Sequence, residues 1–143
     1  MQEIEAKFYV MDLKKIEACL QGLEARLIQP RILETNIRFD LPDGGLRSEG
    51  RVLRIRQDTE AKLTYKSGGT NEQGVLSRTE IEFVVEDFEK AKQFLEALGY
   101  QKLFYYEKYR TTYEFNFSTV DNALFIFARI FVGEPGFGIL PQA

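Results

Sequence analysis

Hydrophobic and polar positions along the chain follow two rhythms. Leu13, Ile16, Leu20, Leu23 and Leu27 recur at helical spacing behind Asp12, a residue suited to an N-cap. Phe88, Ala91, Leu95 and Leu98 repeat that spacing behind Asp87, and Gly99 supplies a C-terminal stop. Most of the remainder alternates with period two, which predicts strands near 2–10, 34–40, 51–58, 61–67, 76–86 and 104–117. Pro42-Asp43-Gly44-Gly45 and Ser67-Gly68-Gly69-Thr70-Asn71 read as turns between them. There is also an internal echo. Glu3-Ile4-Glu5 opens a strand–helix–strand unit, and Glu80-Ile81-Glu82 opens another 77 residues later. Two such halves suit an α+β fold, a closed antiparallel β-barrel with helices packed outside.

Within the strands the charged residues occupy alternate positions and so share one face. Glu3, Glu5 and Lys7 alternate with Ile4, Ala6 and Phe8, and Arg54 and Arg56 with Leu53 and Ile55. Lys62, Thr64 and Lys66 alternate with Leu63 and Tyr65, and Arg78, Glu80 and Glu82 with Ile81 and Phe83. Lys108 and Arg110 alternate with Tyr109 and Thr111. One such strand would be an ordinary half-exposed sheet edge. Five together hold eight cations and four carboxylates, a face of +4 on a chain whose net charge is −3. Two like charges ~5 Å apart at an effective dielectric of ~20 repel by roughly 3 kcal/mol, so a closed lumen of this kind needs a polyanion to fill it. The clustered carboxylates would repel that polyanion unless a cation stood between them. With no histidine or cysteine nearby they suit Mg2+ or Mn2+.

Composition narrows the chemistry further. The 143 residues suit one domain with a real core. There is no histidine, which excludes a Ser-His-Asp or Cys-His nucleophilic site and a histidine-ligated zinc. Cys19 is the single cysteine; it excludes an internal disulfide, points to a reducing compartment and, beside the apolar helix face, reads as core. A mildly acidic chain is a poor nucleic-acid binder. No apolar run reaches the ~18 residues of a spanning helix, and Met1 leads directly into charged residues, so a cytoplasmic protein with no membrane partner is expected. Tyr105, Tyr106, Tyr109 and Tyr113 read as sheet-packing residues.

Glu3-Ile4-Glu5-Ala6-Lys7 matches an ExExK signature, and the likeness continues through Leu53-Arg54-Ile55-Arg56, Leu63-Thr64-Tyr65-Lys66, Arg78-Thr79-Glu80-Ile81-Glu82 and Lys108-Tyr109-Arg110. In this order the motifs resemble the CYTH family, the triphosphate tunnel metalloenzymes, over about residues 1–117. That family includes class IV adenylate cyclases, thiamine triphosphatases and inorganic triphosphatases. The resemblance implies a closed eight-stranded antiparallel tunnel with the substrate's phosphates inside. It places Glu3, Glu5, Glu80 and Glu82 in a metal-binding set, with Glu3, Glu5 and Lys7 as the catalytic signature. Lys7, Arg54, Arg56, Lys66, Arg78, Lys108 and Arg110 would grip phosphate oxygens; Lys62 joins them by alternation alone. Phosphoryl transfer needs in-line positioning and charge neutralisation more than covalent catalysis, which suits a site without histidine.

The resemblance fails in two places. Arg38 stands where the family commonly carries an aromatic residue. From Ser118 to Ala143 only Asp121, Arg129 and Glu134 are charged, and six of the 12 phenylalanines lie between Phe115 and Phe137. The stretch Ala123–Val132 is apolar on both alternations and does not read as a tunnel wall; Asp121 is the remaining candidate for a late metal ligand. On this reading one CYTH-like domain spans 1–143, with 118–143 divergent, packed against a second subunit, or the product of a shifted and truncated reading frame. The abrupt change favours the last, and an exposed Phe-rich tail favours a homodimer. The expected function is a Mg2+- or Mn2+-dependent hydrolase of an organic or inorganic triphosphate (ATP, thiamine triphosphate or tripolyphosphate). The alternatives are a class IV adenylate cyclase, making cyclic AMP and pyrophosphate from ATP, and a catalytically silent polyphosphate- or nucleotide-binding module.

Overall fold

Asp12 and Asp87 cap helices as their positions predict. The Asp12 side chain accepts from the Lys14 and Lys15 N–H groups at 3.0 and 3.3 Å, and Asp87 accepts from Lys90 N–H at 2.9 Å. They open α1 (Leu13–Gly22) and α3 (Phe88–Ala97). The computed structural model describes residues 2–6, 8, 10–118, 125–135 and 140–141, with the side chains of 8 and 10–115. Among these residues are also β1 (Gln2–Ala6), β2 (Arg26–Asp40), α2 (Gly45–Ser48), β3 (Val52–Gln57), β4 (Ala61–Glu72), β5 (Val75–Val85), β6 (Gln101–Ser118), β7 (Phe125–Pro135) and β8 (Leu140–Pro141). The order β1-α1-β2 and later β5-α3-β6 reproduces the twofold echo of the sequence.

The described residues fall into two units. The first comprises Met1–Phe8, Glu34–Glu107 and Phe137–Ala143; the second comprises Tyr9–Leu33 and Lys108–Gly136. In the first, an antiparallel sheet runs β1-β5-β4-β3-β2. Its apolar face carries Ile37, Phe39, Leu53 and Ile55, which pack with Leu46 of α2 and Leu95 of α3 into one core. Both helices therefore lie on the apolar side, and the alternate side chains carry the charge. In the second, Leu20 of α1 packs on Tyr113 of β6, with Leu13, Ile16 and Ala25 around them, and β7 pairs β6 from Lys108↔Pro135 to Ser118↔Phe125. The fold is α+β. The sheet is not closed by hydrogen bonds among the described residues, since β1 pairs β5 at one end of the strand order and β7 pairs β6 at the other.

Several boundaries differ from the sequence pattern. α1 stops at Gly22, and β2 begins at Arg26, eight residues before the alternation becomes legible. Arg26–Leu33 carries adjacent apolar pairs and Pro30, so period two is absent there. Ser67–Asn71 is not a turn: it stays within β4, where the register shifts between Ser67 and Thr70 and Gly68 and Gly69 take φ of +67° and +138°. The hairpin turn is Gln73-Gly74, both at positive φ (+53° and +81°) with Glu72 opposite Val75, as a two-residue loop between twisted strands requires. Cys19 is exposed rather than core, because α1 turns Leu13, Ile16 and Leu20 inward instead. The apolar stretch near the C-terminus forms β7; Asp121 lies outside the described residues.

Candidate functional site

Strand register assembles the charged face row by row. Asn36 stands opposite Arg56, and Arg56 opposite Lys62. In the next row Arg38 faces Arg54, Arg54 faces Thr64, and Thr64 faces Glu82. One step further, Val52 faces Lys66 and Lys66 faces Glu80. Four of the sequence-derived residues, Arg56, Lys66, Glu80 and Glu82, thus meet on one sheet face with Arg54 and Lys62 beside them.

The face is deeply desolvated in places. Glu34 and Asn36 are 0% exposed, Arg56 is 8% and Lys66 7%. Burying charge at that depth demands partners. Arg56 has three: Glu82 Oε1 at 3.4 Å, Glu34 Oε2 at 3.9 Å and Asp58 Oδ2 at 4.0 Å. Asn36 Nδ2 donates to Glu34 Oε1 at 3.0 Å, and the buried Thr64 hydroxyl donates to Glu82 Oε2 at 2.7 Å. Lys66 Nζ sits 3.9 Å from Glu80 Oε1. Lys62 reaches Glu60 at 4.0 Å, toward the turn after β3.

The arginine row is different. Arg54 Nη1 donates to the Tyr106 hydroxyl at 3.3 Å, and the Arg38 guanidinium carbon lies 5.2 Å from the centre of the Phe104 ring. Burial works to lower the Arg54 pKa, but Tyr106, Glu34 and Glu82 outweigh it and the net direction is upward. Burial lowers Arg38 below the ordinary guanidinium value; Tyr106 and Asp40 oppose this, while Arg54 and Arg78 add to it. Asp40 is engaged elsewhere, accepting from the N–H groups of Leu41, Leu46 and Arg47 at 2.7, 2.9 and 3.2 Å and so pinning α2 to the end of β2.

A model of the CYTH domain matches residues 1–126. The chain belongs to the CYTH domain family. It is 32% identical over 115 residues to "Putative adenylate cyclase MJ0240" of Methanocaldococcus jannaschii, covering 80% of this chain and 65% of the relative. Among solved structures it resembles the PH1012 protein of Pyrococcus horikoshii OT3, with a TM-score of 0.64 and 25% identity over 79% of this chain and 64% of that one. It also resembles "Putative adenylyl cyclase HpAC1" from Hippeastrum, for which a dominant triphosphatase activity is described, with a TM-score of 0.65 and 20% identity over 97% and 76%. The last likeness shows the fold. The chain spans about 65% of the length of the curated relative it matches.

Other signature positions of the CYTH domain are placed by backbone alone or lie elsewhere. Glu3 and Glu5 stand on β1 opposite Arg78 and Leu76 of β5, and Lys7 lies outside the described residues. Lys108 and Arg110 belong to the second unit, opposite Pro135 and Gly133 of β7. Three participants were missed by motif reading. Glu34 lies on the strand stretch whose alternation starts with it, and Tyr106, taken for a packing residue, reaches Arg54 instead. Arg38, noted only as a departure from the family, faces Arg54. The available signal was parity: Glu34, Asn36 and Arg38 alternate with Thr35, Ile37 and Phe39.

The CYTH family implies a divalent metal, and the donor chemistry here fits one. The carboxylates are hard oxygen ligands with no histidine or thiolate among them. Glu80 and Glu82 lie on one face of β5, and Glu3 pairs by register with Arg78 on the same strand. Among the described residues no group of three or more carboxylates is arranged so that it could hold a metal ion. No helix among them is long and apolar enough to cross a membrane.

Proposed function

We propose that this CYTH domain is a divalent-metal-dependent phosphohydrolase that cleaves a triphosphate held along the charged sheet face. The observation carrying the reading is the row order: an arginine pair, Arg38 on β2 and Arg54 on β3, shares the sheet face with a carboxylate-bearing set, Glu80 and Glu82 on β5, with β4 between them. A triphosphate needs both, basic donors for its oxygens and a metal-binding edge where one phosphorus is attacked. Closure of the sheet into a tunnel belongs to the same proposal, and so does assignment of Lys7, Arg78, Lys108 and Arg110 to the phosphates.

Glu3, Glu5, Glu80 and Glu82 would hold Mg2+ or Mn2+. When bound, the ion supplies charge neutralisation and polarisation of the phosphoryl oxygens. The chain's own part is to hold the polyphosphate straight with Arg54 and its neighbours. Thr64 and Arg56 fix the Glu82 carboxylate in one orientation from two sides. The name of the archaeal relative supports a second reading, cyclisation of ATP. The same face serves it, since placement decides which phosphorus is attacked.

Incubation with ATP, tripolyphosphate or thiamine triphosphate, with Mg2+ or with Mn2+, separates the readings. Phosphate release is the expected result. Cyclic AMP with pyrophosphate selects the cyclase, and binding of tripolyphosphate without any product leaves a silent binding module. Glu5→Gln should abolish turnover while sparing most phosphate binding; turnover that survives it removes Glu5 from the metal set.

A further inference from the structure

The charged face divides its cations into two kinds. Arg56 and Lys66 are answered by protein carboxylates at 3.4–4.0 Å. Arg38 and Arg54 are not: among the described residues neither has a carboxylate in ion-pair reach, and the buried Nε of each, like that of Arg56, has no hydrogen-bond acceptor. They stand directly opposite one another on β2 and β3, so each has another cation directly across the strand pair. Arg38 lies over Phe104, which occupies the flat face of the guanidinium and leaves its edge donors for acceptors in the ring plane. Arg54 is braced from the side by Tyr106. Two oriented forks with unsatisfied buried donors suit a tetrahedral oxyanion, which offers several in-plane acceptors and the missing negative charge together.

We infer that Arg38 and Arg54 form a dedicated clamp for one phosphoryl group of the substrate chain, with Arg38 a substrate-binding residue in its own right. The inference rests on the triphosphate reading and deepens it. Arg56, by contrast, is already paired with Glu34, Asp58 and Glu82 of the protein.

Calorimetric titration of tripolyphosphate into metal-free protein tests the clamp, so that binding is read without turnover. R38Q should weaken binding roughly 10- to 100-fold, the range expected for lost charged hydrogen bonds, and R54Q comparably. R38K, which keeps charge but not the fork, should recover part of the loss. Arg47→Gln, at an exposed position of α2, should stay within about twofold of wild type. In the absence of anions R38Q should melt no lower than wild type, because it removes a like-charge pair. Wild-type affinity in R38Q alongside weakened R54Q overturns the clamp and leaves the triphosphate reading standing. Absence of tripolyphosphate binding in the wild-type protein overturns that reading itself. A melting point for R38Q several degrees below wild type assigns Arg38 a structural task and overturns the inference as well.

Discussion

Two neighbouring rows of one sheet face solve the same electrostatic problem in opposite ways. Around Arg56 the solution is internal: a cation 8% exposed, ringed by Glu34, Asp58 and Glu82, with Asn36 donating to Glu34 and Thr64 to Glu82. Around Arg38 and Arg54 it is deferred: two guanidiniums face each other, braced by Phe104 and Tyr106, rings that carry no formal charge. A cation already paired with protein carboxylates has less charge left to offer a ligand. One without such a pair stabilises little and is available for binding. Counting cations along the strands treats both rows alike, and the structure shows why it should not.

The comparison can be broken from its internally paired row first. Arg56→Gln removes the cation shared by the buried Glu34 and by Asp58 and Glu82, and should destabilise the protein by about 3–5 kcal/mol, read by urea denaturation. Arg38→Gln under the same conditions should change stability by less than about 1 kcal/mol. Equal losses for the two would erase the distinction between the rows. Thr64→Val removes the 2.7 Å hydrogen bond to Glu82 without changing side-chain shape, at an expected cost of about 1–2 kcal/mol. In addition, Thr64→Val should raise the divalent-ion concentration needed for half-maximal turnover, because Glu82 loses one of its two constraints. Tyr106→Phe withdraws the brace from Arg54 and should cost about 1 kcal/mol or less, with a weaker affinity for tripolyphosphate as its clearer readout.

The smallest effect sharpens the two-sided character of β6. Tyr106 serves the charged face, whereas its neighbour Tyr105 packs against the apolar core and donates its hydroxyl to Glu107. Burial, and then that hydrogen bond, push the Tyr105 pKa up to about 12. The fold therefore favours the neutral phenol. This contribution is fully present below the ordinary phenol value of about 10 and is lost as pH rises from there through about 12. Ultraviolet titration should show Tyr105 ionising at about 12, with Tyr113 also above the ordinary phenol value, and Glu107→Gln should lower the Tyr105 midpoint only in part because burial is the larger cause. A Tyr105→Phe variant that leaves the titration at about 12 unchanged would show that the assignment is wrong.

How much of this was legible beforehand depends on the range of the interaction. Both long helices, their Asp caps and the alternating strands of the central sheet are local matters of period and hydrogen-bond chemistry, and the residues declare them. The basic and acidic strand motifs were legible too, because a shared face follows from parity within each strand. Pairing partners were not. Whether Arg56 meets a carboxylate or a phosphate depends on Glu34, 22 positions away in sequence, and on Glu82, 26 positions away, and only register across β2, β3, β4 and β5 brings them together. Ser67-Gly68-Gly69 is composed like a turn, yet pairing with β5 holds it in the strand as a bulge. Cys19 illustrates the same limit on a helix, where a residue near the apolar stripe faces water because Tyr113 engages the stripe from Leu13 to Leu20.

The sequence by itself determined the family, the strand motifs, the class of chemistry open to a chain without histidine, and which side of each central strand is charged. Those follow from residue types and from periods of 2 and 3.6, which need no knowledge of distant contacts. Only the tertiary structure decided which cations the protein neutralises for itself and which it leaves facing one another. That choice is made by cross-strand distances of a few ångströms between residues far apart in the chain, in a desolvated setting where each unpaired charge is expensive.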